Sequence, residues 1–200
     1  MFDLFMYRFQ PGPNDVVLDA GVTSDRDYGH SNYFESWYPH KSAVTAVGVE
    51  DASFLEETYP GMKFVCADAC DLPFEDATFD YVHSGAVLEH VGSRQRQADF
   101  ISELWRVARK GIFITTPNRW FPVEVHTVLP LLHYLPAPQF RRSLRALGGE
   151  YAFFADEENL NLVGAGDLLG LAKHAGLAQA KVARVRLFGL ASNLVLLAAR

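Results

Sequence analysis

Residues 16–25 read VVLDAGVTSD, an apolar run that ends in an acid and a glycine. Val16–Ala20 has the length and β-branched content of a buried strand. Asp19 and Gly21 stand where such a strand turns into a nucleotide-binding loop, but the further glycines of a phosphate cradle are missing, and Thr23 and Asp25 take their place. A phosphate needs positive charge and bare backbone amides at this point, and this loop offers acid instead. A cationic or zwitterionic cofactor with an adenosine part suits it better.

Outward from that strand, apolar runs and helical patterns alternate. Strands are expected at Ala43–Val49, Lys63–Ala67, Phe79–Ser84 and Ile112–Thr116, and helices at Ser31–Tyr38, Ala52–Tyr59, Ser93–Arg109 and Ala165–Ala175. In Ser93–Arg109 the residues Phe100, Ile101, Leu104, Val107 and Ala108 recur at helical spacing, and Gly111 marks the stop. Lys181–Phe188 and Asn193–Ala199 are two last strands around a turn at Gly189–Ser192. Strands separated by helices need crossover connections, so the sheet is largely parallel and covered on both faces, while the closing hairpin is antiparallel. The fold expected is α/β, a Rossmann-like, doubly wound, mostly parallel sheet with an antiparallel hairpin strand at its C-terminal end. Ligands of such sheets bind at the carboxyl ends of the strands.

The 200 residues suit a single domain with one substantial core. A net charge of −6 lacks the positive footprint of nonspecific nucleic-acid binding, so no nucleic-acid partner is expected. Arg141, Arg142 and Arg145 read as a solvated helix face. Cys66 and Cys70, in CxxxC spacing without a histidine cluster beside them, read as buried thiols, and no metal site is expected. The opening MFDLFMYRFQPGP does not read as a secretion signal, and no run reaches the roughly 20 apolar residues that cross a bilayer. A cytoplasmic protein is expected.

Polar residues mark each strand end. Asp19, Gly21 and Thr23 follow the first strand, Glu50 and Asp51 the second, Asp68 and Ala69 the third, and Ser84 and Gly85 the fourth. A carboxylate just past the second strand is placed to accept hydrogen bonds from two ribose hydroxyls. Each acid also has a plainer reading: Asp19 as a turn cap, Glu50 and Asp51 as a helix N-terminal pair, and Asp68 as a cap for the loop before Pro73.

VVLDAG (16–21), VGVED (47–51) and FVCADACDLPFEDATFDYVHSGAVLEHV (64–91) together resemble the successive motifs of the class I S-adenosylmethionine-dependent methyltransferases, and most closely the small type 11 proteins. DLPFEDATFDYV followed by VLEHV carries the most specific part of the likeness. The resemblance implies strand order 3-2-1-4-5-7-6, with the seventh strand antiparallel. It implies S-adenosyl-L-methionine as cofactor, with Asp19, Gly21 and Thr23 at its methionine end and Glu50 on the ribose. Asp51 stands beside Glu50, Asp68 and Ala69 face the adenine, and Ser84 and Gly85 face the amino-acid part. The first loop departs from the family's GxGxG, and extra residues around Asp25–Tyr33 lengthen the interval between Asp19 and Glu50.

The aromatic and proline-rich segment at about 117–160 interrupts the alternation and is expected to be a lid or substrate insertion. Trp120, Phe121, His126, His133 and Tyr134 are candidates for an acceptor wall, and its VLPLLHYLP run permits peripheral membrane contact. Methyl transfer asks the protein mainly to position the acceptor and to remove a proton. His126 and His90 are the candidate bases. The function expected is methyl transfer to a small molecule or a cell-envelope precursor. The alternative is a non-catalytic methyltransferase-like scaffold that has lost the cofactor and acts through partners. A nicotinamide oxidoreductase fits poorly, because its pyrophosphate needs the glycine-rich helix start.

Overall fold

The structure is a computed structural model in which residues 1–26 and 31–200 are described. Seven strands form one sheet in the order β3-β2-β1-β4-β5-β7-β6. They are β1 (Val17–Ala20), β2 (Val44–Gly48), β3 (Lys63–Cys66), β4 (Phe79–Gly85), β5 (Ala108–Pro117), β6 (Lys181–Leu187) and β7 (Leu190–Ala199). The first five pair in parallel, and β7 runs antiparallel to both of its neighbours. The helices are α1 (Phe2–Phe9), α2 (Tyr33–Trp37), α3 (Phe54–Thr58), α4 (Arg94–Val107), α5 (Ala137–Leu147), α6 (Glu150–Phe153) and α7 (Ala165–His174). The doubly wound sheet expected from the sequence is therefore present.

Each strand buries alternate residues against opposite layers. On β1, Leu18 and Ala20 join the apolar cluster beneath α4 and α7, which includes Phe100, Leu104 and Leu168. Val17 belongs to the opposite cluster, where α1 and α2 contribute Phe5 and Phe34. Asp19 shares the Val17 face, which decides its environment. The insertion has a smaller apolar cluster of its own around Phe140, Leu144, Leu160 and Leu162.

The boundaries shift most at the junction of α4 with β5 and at the final hairpin. Helix α4 starts from a Ser93 cap that accepts from the Arg96 amide, but ends at Val107 rather than Arg109. Ala108 is drawn straight into β5, opposite Phe79. Gly111 is thus not a helix stop: it lies within β5, where a Cβ would approach the Ala198 carbonyl oxygen and the Phe9 ring to 2.8 Å. The final hairpin turns at Phe188–Gly189, both at positive φ, so β7 begins at Leu190. Positive φ at both central residues matches the twist of a two-residue hairpin. Helix α1 was not expected at all. Its Phe5 ring is fully buried against Phe34, His83 and Phe113.

The expectation of buried thiols also needs correction, since Cys66 is exposed and Cys70 only half-buried. Arg141 and Arg145 do lie on helix α5, where they pair with Glu157 and Asp156 of the same insertion.

Candidate functional site

A cleft of about 580 Å³ opens at the carboxyl ends of the strands, within the size range of small-molecule sites. Gly21, Val22, Gly48, Asp68, Ala69, Ala86, Val87, His90 and Arg96 all line it. Of the residues singled out from sequence, Gly21, Asp68, Ala69 and His90 are among those lining it. Gly21 has φ +108°, and a Cβ there would meet Val87 Cγ2 at 2.0 Å. The glycine is thus required by the protein's own packing. Gly48 is equally constrained, with a Cβ 2.6 Å from the Val22 carbonyl oxygen.

Asp68 projects beside the cleft and is held twice. Its Oδ1 accepts from the Cys70 amide at 2.8 Å, the capping role that its plainer reading named, and its Oδ2 accepts from Arg96 at 2.7 Å. Partial burial would raise its pKa, but that amide and the guanidinium hold it below the ordinary carboxyl value. Arg96, from the first turn of α4, also donates to the Val91 carbonyl, so its guanidinium is fixed across the cleft wall. Nothing in the sequence pointed to Arg96. Only its position one helical turn past the VLEHV loop placed it there.

The remaining expected cofactor residues are not among those lining the cleft. Glu50 is exposed and accepts from the Ser24 hydroxyl. Asp51 accepts from the Ser53 amide ahead of α3, as its plainer reading supposed. Thr23 is tied to Asn32 by two hydrogen bonds, of which the first runs from its amide to Asn32 Oδ1 at 3.0 Å. Ser84 is buried with its hydroxyl unpartnered, and Gly85 lies against Tyr33 and His83. Part of the long interval expected to reshape the loop, residues 27–30, lies outside the described residues.

Asp19 turns away from the cleft into the α1/α2 layer. Register places it opposite His83 of β4, and His83 opposite Phe113 of β5. Asp19 Oδ1 lies 2.5 Å from His83 Nδ1, and the Tyr33 hydroxyl 3.1 Å from His83 Nε2. The imidazole stacks between Phe34 at 4.2 Å and Phe113 at 5.7 Å. Burial pushes Asp19 up to about 7 and His83 down to about 3, so this environment favours neutral forms.

Glu35 from α2 is also fully buried next to Asp19, and among the described residues neither of its carboxyl oxygens makes a hydrogen bond of normal geometry. Burial and then the neighbouring Asp19 charge drive its pKa well above the ordinary value. The folded protein therefore favours a protonated Glu35. That contribution to stability is complete below the ordinary carboxyl pKa and is lost as pH rises through the elevated one. Glu35→Gln is expected to gain on the wild type, by up to about 1.4 kcal/mol per pH unit of titration, as pH rises above the ordinary carboxyl pKa. Urea unfolding across that range checks it, and a pH-independent difference would exclude the protonated form.

A second polar cluster meets the cleft at His90. The turn Leu88–His90 is pinned by buried Gln97, whose amide donates to the Leu88 carbonyl, and by the Asn161 amide, which donates to that of Glu89. From the insertion, His126 reaches the same turn, and its Nε2 lies 3.0 Å from His90 Nε2. The two histidines named as candidate bases are thus in direct contact. His126 Nδ1 lies 2.7 Å from the Glu124 carboxylate, which also accepts from the amides of His126 and Thr127. Burial raises the Glu124 pKa, but these donors outweigh it and hold the group at about 2. For His126 burial favours the neutral ring, yet Glu124 carries its pKa above the ordinary histidine value.

The other aromatic candidates of the insertion pack mainly on one another. His133 donates to the Phe121 carbonyl, and the Tyr134 hydroxyl donates to that of Trp120. No described helix is long and apolar enough to cross a membrane.

Comparison with known proteins bears on this site. Residues 29–115, which run through β2, β3 and β4 and the cleft loops after them, match the type 11 family model described as a methyltransferase domain. A provisionally named methyltransferase of Encephalitozoon cuniculi is 28% identical over 54% of the chain, and the chain spans 58% of that relative's length. Among solved structures, the Burkholderia thailandensis 1,6-didemethyltoxoflavin-N1-methyltransferase, with bound 1,6-didemethyltoxoflavin and S-adenosylhomocysteine, superposes with a TM-score of 0.64. It is 17% identical, and the match covers the whole of this chain and 76% of that one. A Methanosarcina mazei S-adenosylmethionine-dependent methyltransferase gives 0.62 at 16% identity, over 98% and 96% of the two chains. The chain shares its overall fold with these solved methyltransferases.

Proposed function

We propose that the protein is an S-adenosylmethionine-dependent methyltransferase acting on a small-molecule acceptor. The observation that carries the reading is the cleft at the strand carboxyl ends, bordered by Gly21, Asp68 and Ala69, the last two within the segment that matches the methyltransferase family model. The cofactor supplies the chemistry, a methyl group on a sulfonium that a nucleophile displaces. The residues of this chain bind and orient. Asp68 accepts from the adenine amino group, Glu50 receives the ribose hydroxyls, and apolar Val22 and Val87 shield the cleft. Segment 117–160 acts as the acceptor lid, because it brings His126 to the cleft residue His90 and has an apolar cluster of its own to hold its shape. The solved neighbours named above support a compact acceptor, since one of them holds 1,6-didemethyltoxoflavin. Two free cysteines agree with work in a reducing cytoplasm.

Calorimetric titration with S-adenosylhomocysteine tests this reading. Micromolar binding is expected, with Asp68→Ala weakening it about 10- to 100-fold through loss of one charge-assisted hydrogen bond. Absence of heat at millimolar ligand, with the protein folded by circular dichroism, would sink the proposal.

A further inference from the structure

Three side chains converge where the insertion meets the cleft. His90 Nε2 and His126 Nε2 lie 3.0 Å apart, and Glu89 Oε1 lies 4.0 Å from each. The proton positions follow from the outer partners. His90 Nδ1 faces the Asn159 carbonyl at 2.7 Å, and a carbonyl can only accept, so this nitrogen carries the proton. His126 Nδ1 faces the Glu124 carboxylate and carries its proton for the same reason. With both rings neutral, the two Nε2 atoms present lone pairs to each other, an arrangement that repels unless a proton or a metal cation lies between them.

A proton can bridge the two imidazoles, but it leaves Glu89 unanswered. Glu89 is fully buried, its Oε2 accepts from Thr116, and among the described residues its Oε1 has no hydrogen-bond partner. A metal ion engages all three atoms together. The outer contacts are of the kind that orient metal-bound histidines: a carboxylate behind one ring and a backbone carbonyl behind the other. With metal–ligand bonds near 2.0–2.2 Å, tetrahedral ligand atoms lie about 3.4 Å apart. The histidine pair is already within about 0.4 Å of that spacing, and the Glu89 oxygen has about 0.6 Å to close.

We infer that Glu89, His90 and His126 form a binding site for a divalent first-row transition metal such as zinc, seated between the cofactor cleft and the insertion. Two imidazoles with one carboxylate favour this class over magnesium or calcium, which prefer all-oxygen shells. Three protein ligands leave a coordination position open, and the His90 side chain is 37% exposed, so the centre is reachable from solvent. In an enzyme of the kind proposed above, that open position suits an acceptor bearing a hydroxyl or carboxylate. This role rests on the methyltransferase reading, whereas metal binding does not.

The test uses the full chain, tag removed and dialysed against chelator, titrated with zinc chloride and separately with cobalt(II) as a spectroscopic probe. One equivalent of zinc is expected to bind at micromolar concentration or tighter, and cobalt to give the visible bands of a low-coordinate nitrogen and oxygen site. His126→Ala is expected to weaken zinc binding at least about 100-fold, and Glu124→Gln about 10- to 100-fold through the outer shell. Glu89→Gln keeps the shape of the side chain and guards against misreading a folding defect as a binding loss. Folded wild-type protein that binds no zinc, or binds it as tightly after His90→Ala and His126→Ala together, overturns the inference and leaves a proton-bridged pair. Failure of S-adenosylhomocysteine to bind while zinc still does would remove the methyltransferase reading alone.

Discussion

His83→Ala is expected to lower the unfolding free energy by about 3–5 kcal/mol, the range for cutting a large buried ring back to alanine. Three losses act together. Asp19 and Tyr33 lose the ring nitrogens that they face at 2.5 and 3.1 Å. Asp19, 6% exposed, is left beside Glu35 with no compensating group. The stack of Phe34 and Phe113 loses its central ring, opening a cavity between two helices and the sheet. Urea denaturation at neutral pH measures the total. His83→Phe separates its parts, because it refills the stack without restoring the polar contacts. A variant within about 1 kcal/mol of wild type at position 83 would mean that the buried network adds little to stability.

Gly21→Ala is expected to destabilise the protein by about 2–5 kcal/mol, combining backbone strain with overpacking. The backbone there sits at φ +108°, where an L side chain is strained whatever the space. The new methyl also collides with Val87, whose Cγ2 stands 2.0 Å from its position. Val87→Ala in the same chain relieves the collision but not the strain. The double variant should therefore recover about 1–3 kcal/mol, a coupling that a double-mutant cycle in urea reads directly. Strict additivity would show that the Val87 contact is absent in solution.

These two residues differ in how visible they are beforehand. Gly21 stands out in VVLDAG, because a glycine after a buried strand signals a turn with special backbone geometry. His83 does not. Its place in FDYVHS shows only an alternating strand, and nothing local reveals that the register sets it opposite Asp19 and Phe113. The same holds for Asp19: it was expected to face the cofactor, yet period-two alternation from Val17 carries it to the far layer. Glu35 was missed because a carboxylate in a short helix reads as a solvent-facing residue, whereas it is fully buried.

The cleft residues were legible in part. Asp68 and Ala69 lie directly after a strand, and strand ends are where this fold collects its ligands. Arg96 and Val87 escaped notice because a side chain that reaches back from a helix or loop leaves no periodic mark. His90 and His126 were singled out for their chemistry alone. That they touch depends on a pairing between positions 36 residues apart, set by where the insertion settles.

The alternation of strands with helices, and the closing hairpin, could be read from the residues, because each buried strand and each helix leaves a local periodic signal. The order of the strands in the sheet came from the family resemblance instead. Which polar groups meet was set by the tertiary fold: Asp19 with His83 and Tyr33, and buried Glu89 with His90 and His126. The physical reason is that hydrophobic periodicity specifies faces, whereas the partner of a buried charge depends on strand register and loop placement.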